Sequence, residues 1–205
     1  DLMEIESIAI ELNRLSEAVS LGLFDEAMNG VDILYQQINE DTERDALFFT
    51  IMSNIASIFI DVGHMKPCVN SAQKGLDILN EHKNEVIEQI GEDAYFYNLS
   101  NAKSSLISEK NPFDYTFSTI EQLIEIKTDL WKAIKSFSNK NSGKIEPTYI
   151  VNLGNSLKQQ FRIAEAIECY DLVNKFNLDI PQSWINRSET LIMLNQVSNT
   201  FSIQM

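Results

Sequence analysis

Cysteine is scarce in this chain: Cys68 and Cys169 are the only two in 205 residues, and each sits inside an apolar pattern of helical spacing. That excludes a disulfide framework and a Cys-rich metal site, and it leads us to expect a reducing, cytoplasmic setting. Histidine is equally rare. His64 and His82 lie 18 residues apart with no cysteine or acid completing a metal-ligand spacing, so no metal site is expected. We read His64 as a turn residue and His82 as a cation at a helix C-terminus. Seven glycines form no phosphate-cradling loop, and no Ser, His and Asp set can be placed together. No catalytic site and no cofactor are therefore expected in this segment. Basic residues are outnumbered, 16 against 30 acids, which leaves a net charge of -14 that repels a phosphate backbone. The densest lysine cluster, Lys127, Lys132, Lys135, Lys140 and Lys144, is interleaved with Glu121, Glu125 and Asp129 and reads as a solvated helix face. Direct nucleic-acid binding is not expected. No uncharged apolar run of about 18 residues is present, so no membrane span is predicted, and no basic and then apolar leader follows Asp1. The missing initiator Met leads us to expect that residue 1 is not the natural start.

What the chain has in abundance is helical periodicity. Leu2, Ile5, Ile8, Leu12, Leu15 and Val19 recur at spacings of three and four and mark one apolar face. No stretch alternates at period two. The pattern predicts helices near 2–21, 24–39, 43–62, 65–82, 85–109, 117–137, 147–160, 163–176 and 182–195, with Gly22 and Gly63 at turns between paired helices. Ser108 to Pro112 and the polar stretch Ser138 to Pro147 are the candidate linkers, each too short to separate independent domains. A single all-α domain over 1–205 is the expectation.

The C-terminal part carries a repeat. Tyr149-Ile150-Val151-Asn152-Leu153-Gly154-Asn155-Ser156-Leu157 is followed by Ala164-Glu165-Ala166-Ile167-Glu168-Cys169-Tyr170, and a second copy opens at Pro181-Gln182-Ser183-Trp184. Ile150 to Trp184 and Asn152 to Asn186 are each 34 residues apart. This resembles the tetratricopeptide repeat, with Leu153, Gly154 and Leu157 at first-helix sites and Ala166 and Tyr170 at second-helix sites. The small residues Gly154 and Ala166 are expected to let neighbouring helices approach closely. Earlier copies are more divergent: Gly22-Leu23-Phe24-Asp25-Glu26-Ala27, then Ile55, Ala56, Phe59, Gly63 and Ala72, then Tyr97-Asn98-Leu99-Ser100-Asn101-Ala102. Equivalent asparagines there are spaced by 41, 44 and 54 residues (Asn13, Asn54, Asn98, Asn152), so longer helices or loops are expected. The resemblance implies a right-handed α-solenoid of antiparallel helix pairs, about 4.5 units, that acts as a protein- or peptide-binding scaffold. The fifth unit would lack its second helix, leaving Trp184, Leu191, Ile192 and Leu194 uncovered. Continuation of the natural chain, or a homodimer through this end, would cover them.

Candidate binding residues follow from the same frame. Asn recurs at one first-helix position in every unit, and the resemblance places Asn54, Asn98, Asn101, Asn152, Asn155 and Asn186 on the concave face. An amide there can donate to and accept from a peptide backbone at once. The cations of these faces, Arg14, Lys103, Lys158 and Arg187, are too few for a clamp on acidic C-terminal tails. Residues 95 to 200, with Trp131-Lys132-Ala133, also look like bacterial proteins that join such repeats to a HEPN-type RNase domain. The Arg and His motif common in HEPN domains is absent from this segment, so on that alternative the segment senses or positions. A peptide-pheromone receptor is the second alternative. Asn98-Leu99-Ser100 and Asn186-Arg187-Ser188 match the glycosylation triplet inside predicted helices and are expected to be fortuitous.

Overall fold

In a computed structural model of the chain, the structure describes residues 5–39, 65–107, 114–176 and 180–203. These are helical apart from the turns that join the helices, with no strand among the described residues. The chain forms two compact units, residues 1–111 and 112–205. Their boundary falls in the Ser108 to Pro112 stretch singled out by composition. The expected helix at 43–62, together with Asn54, Gly63 and His64, lies outside the described residues.

In the first unit α1 (Ile5–Ser20) and α2 (Phe24–Asn39) form an antiparallel pair. Gly22, at φ 75°, makes the turn. Leu23 N–H donates to Ala18 C=O at 2.9 Å and Gly22 N–H to Val19 C=O at 3.0 Å, the bonding pattern of a Schellman cap. Helix α3 (Met65–Glu81) packs along α5 (Glu92–Ile107), with the short α4 (Lys83–Ile90) between them in sequence. One apolar core runs through the unit from Ile8, Leu12, Leu15, Val31 and Leu34 to Ile78, Leu79, Val86, Tyr95 and Leu99.

The single helix expected over 85–109 is broken at Gly91, whose φ of 92° and ψ of 156° are open essentially to glycine alone. Apolar spacing continues across the break, so periodicity could not reveal it. His82 directly follows α3, its N–H donating to Ile78 C=O at 2.8 Å, so it stands at that helix's C-terminus as expected; it also precedes α4, and its Nδ1 lies 3.3 Å from the Glu85 carboxylate.

The second unit holds α6 (Phe117–Lys140), α7 (Pro147–Gln159), α8 (Ile163–Phe176) and α9 (Pro181–Ile203). Thr116 and Thr119 cap α6 reciprocally through side chain and backbone. Pro147 starts α7, where its missing N–H costs nothing. Each helix packs on the next, and α7 also touches α9. The core is Leu123, Ile126, Leu130, Ala133, Tyr149, Ile150, Leu153, Leu157, Ala166, Tyr170 and Val173.

The turn between α7 and α8 repeats that between α1 and α2. Arg162 N–H donates to Leu157 C=O and Phe161 N–H to Lys158 C=O, but the left-handed residue is Phe161, at φ 59°. With these two turns aligned, Leu15 corresponds to Gly154 and Gly30 to Cys169. The close approach is met in opposite ways in the two pairs. A Cβ on Gly154 of the first helix would lie 2.7 Å from the Tyr170 ring, whereas in α1 and α2 the glycine is Gly30 of the second helix, under Leu15. The expected role of Gly154 is thus visible in the packing.

Candidate functional site

The first-helix face of the second unit is built by α7 and α9, which the 34-residue register places side by side. Tyr170 of α8 anchors it from below. Its side chain is wholly buried, and its hydroxyl donates to Asn155 Oδ1 at 2.7 Å. Burial pushes the Tyr170 phenol well above its ordinary pKa, so it remains a donor at any physiological pH. Asn186 Nδ2 donates to the same Asn155 Oδ1 at 2.8 Å, and Gln182 Nε2 donates to Asn186 Oδ1 at 2.7 Å. The result is a directed relay, Gln182 to Asn186 to Asn155, with Tyr170 feeding the same end. Thr190 Oγ1 and Ser183 Oγ complete the underside by donating to the carbonyls of Asn186 and Tyr170.

The structure therefore separates the candidate asparagines. Asn155 and Asn186 are brought together across α7 and α9, and Asn186 is only 4% exposed. Asn152 stands one turn before Asn155 and is half-buried. Asn98 and Asn101 are half-buried on α5 of the first unit, while Asn54 lies outside the described residues. The cations of these faces are engaged within the chain. Arg14 bonds Glu11 and Glu26, Lys158 reaches Glu189 at 3.5 Å, Arg187 pairs with Asp171, and Lys103 also has a partner. Arg14 in turn holds the Glu11 carboxyl below the usual carboxylate range, chiefly through their hydrogen bond.

Sequence reasoning missed Gln182, because the residue 34 positions earlier is Thr148 and the register gives no hint of an amide there. Cys169, half-buried beside Gly154, has its thiol pushed up to about 11 by burial, with Glu168 and Glu165 adding to the shift. No group of three or more His, Cys, Asp or Glu among the described residues could hold a metal ion. No described helix is long and apolar enough to cross a membrane.

No family model matches the chain, and no curated protein matches it. Solved structures do. BtubC (BKLC) from P. vanneervenii aligns over 91% of this chain and 71% of its own at 15% identity, with a TM-score of 0.50. A Podosopora anserina protein of kinesin light chain type, with nearly identical TPR-like repeats, aligns over 98% of this chain and 93% of its own at 12% identity, with a TM-score of 0.53. At these identities the likeness is one of fold, and with the 34-residue register and the capped helix pairs it gives the chain's class: an all-α repeat protein of TPR-like fold.

Proposed function

We propose that this chain is a protein-interaction scaffold and that the α7 and α9 face holds a peptide or partner segment through Asn155. The observation that carries the reading is the state of the Asn155 amide. Its Oδ1 accepts two hydrogen bonds, which fixes the plane of the group and leaves Nδ2 as an oriented donor with no partner among the described residues. A donor held this way loses little freedom when a peptide carbonyl arrives. Asn186 and Gln182 then serve as positioning residues; Asn152, one turn earlier on the same helix, already has a partner within the chain. Asn54, Asn98 and Asn101 belong to the same set by their recurrence in the sequence. Both alternative readings, a sensor region of a HEPN-type RNase and a pheromone receptor, share the premise that this segment makes contacts and supplies no chemistry.

The experiment is a capture assay with Asn155→Asp. The aspartate keeps an oxygen for Tyr170 and Asn186 but sets a carboxylate where the donor was. A hydrogen bond replaced by repulsion costs about 1.5–3 kcal/mol, so affinity for a captured partner should fall roughly tenfold to a hundredfold while thermal stability is kept. Equal capture by parent and variant, both folded, would remove Asn155 from the site.

A further inference from the structure

The turn alignment that pairs Leu15 with Gly154 also pairs the outer face of α1 with a face of α7 that a helix covers. On α7 that face is Tyr149, Leu153, Ser156 and Gln160. Helix α6 lies along it: the Phe137 and Tyr149 rings meet edge to face with centroids 6.0 Å apart, and Gln160 Nε2 donates to Leu123 C=O at 3.4 Å. Tyr149, Leu153 and Ser156 are buried. The same positions on α1 are Ile10, Arg14, Glu17 and Leu21, and all four are exposed, Ile10 at 69% and Leu21 at 68%. Beside Ile10 a groove of about 370 Å³ lies between α1 and α2, with Gly30, Leu34 and the 58% exposed Ile33 in its walls. Ile10 and Leu21 are eleven residues apart, about 17 Å along the axis, which a helix of about three turns spans.

Charge says which kind of helix fits. Residues 1–111 hold 20 of the 30 acids and 7 of the 16 cations, a net charge of -13, whereas residues 112–205 come to -1. Arg14 is the only cation in α1 and α2, against Glu6, Glu11, Glu17, Asp25, Glu26 and Asp32. Its guanidinium is taken up by Glu11 and Glu26. Glu17 stands on the exposed stripe itself, between Arg14 and Leu21, and makes no ion pair among the described residues. It also lies in the last turn of α1, where the helix dipole disfavours an acid. The fold therefore gives Glu17 no favourable partner, and a cation arriving from outside would.

We propose that the outer face of α1, from Ile10 to Leu21 with the groove beside it, docks a basic amphipathic helix of a partner protein. Its aliphatic or aromatic side chains fill the groove at Ile10 and Ile33 and cover Leu21, and a Lys or Arg beside them pairs with Glu17. A second copy presenting the same face would set acid on acid, and a phosphate backbone would be repelled. The surface is separate from the Asn155 face, so the two readings stand or fall independently.

The probe is a synthetic helical peptide of about 14 residues, four turns, with Leu and Phe at spacings of three and four and Lys on both flanks. Its twin carries Glu in place of every Lys. Titrated with the full chain at low salt and followed by fluorescence anisotropy, the Lys peptide should bind at least about tenfold tighter than the twin, with affinity falling as salt is added. Ile10→Ser with Ile33→Ser removes apolar surface without changing charge and should weaken the Lys peptide about tenfold. Glu17→Gln should weaken it about threefold and flatten the salt dependence. These side chains are exposed, so the circular dichroism of each variant should match the parent. Methyl shifts of Ile10, Leu21 and Ile33 on adding the peptide locate the site without any substitution. The proposal is overturned if neither peptide binds or both bind alike, or if the Lys peptide holds as tightly to the serine variant, which would mean diffuse charge attraction. It is also overturned if binding is lost on Asn155→Asp instead, or if sedimentation shows a self-associating chain that Ile10→Ser with Ile33→Ser makes monomeric.

Discussion

Gly154→Ala sets two effects of similar size against each other. In an exposed helix interior the change stabilises by about 0.8–1 kcal/mol, because glycine is the poorer helix former. Here the new methyl would lie 2.7 Å from Tyr170 Cε1, 3.0 Å from Cζ and 3.2 Å from Cys169 Cβ, distances at which something must move. The ring cannot easily give way. It is 0% exposed, and its hydroxyl is bonded to Asn155. Overpacking in a core costs about 1–3 kcal/mol, and with a buried, hydrogen-bonded ring the upper part of that range, about 2–3, applies, so the net effect should be a loss of roughly 1–2 kcal/mol. For a chain of this size that lowers Tm by about 2–8 °C. Thermal unfolding followed by circular dichroism reads the shift directly. A double-mutant cycle with Tyr170→Leu assigns the cause, since removing the ring should make Gly154→Ala far less costly in that background. A Gly154→Ala variant as stable as the parent would refute the reasoning and show that α7 and α8 can part without loss.

Phe161 occupies a left-handed cap position at φ 59° while 56% exposed, so Phe161→Gly should relieve about 1–2 kcal/mol of backbone cost at about 0.5–1 kcal/mol of lost chain entropy. A small rise in Tm is expected, and a fall would mean that the exposed ring contributes packing that outweighs the strain. Cys169 should resist alkylation at pH 8, since a thiol at about 11 holds a thiolate fraction roughly a hundredfold below that of an ordinary cysteine; peptide mapping after a timed reagent pulse checks this. The raised value also means that the folded state keeps a proton the unfolded chain sheds. Cys169 should therefore subtract from stability progressively as pH rises from about 9, the ordinary thiol value, to about 11, and Cys169→Ala should flatten that part of the pH profile.

Where sequence reasoning and structure agree, the signal was local. The apolar stripe of α1, the left-handed residue after it and the 34-residue step from α7 to α9 can each be read from a few neighbouring residues, and each is present. Two of the misses are also local in origin. Gly91 interrupts a spacing that looks unbroken, and α9 runs on to Ile203 past the position where α7 turned, because Asn195 continues the helix where Phe161 left it. Gly30 escaped notice because its small size matters only against Leu15, a residue of the other helix.

The candidate site was half legible. Recurrence placed asparagines on one helix face, but recurrence is the same whether an amide faces a ligand or another amide. Asn155 and Asn186 are 31 residues apart and meet only because α9 lies beside α7, and Gln182 joins them for the same reason. Which amide atoms are spent internally is a matter of distances between helices, and those are set by what lies in the groove between them.

That this chain is helical and that its helices pair was legible in the amino-acid sequence, because both follow from periodicity and turn residues within a few turns. Packing decides that Asn186 is buried and bonded to Asn155, that Asn155 Oδ1 accepts two hydrogen bonds, and that α6 exposes a second set of apolar residues. Hydrogen-bond satisfaction and burial depend on which distant residues share a neighbourhood, and that is a property of packing.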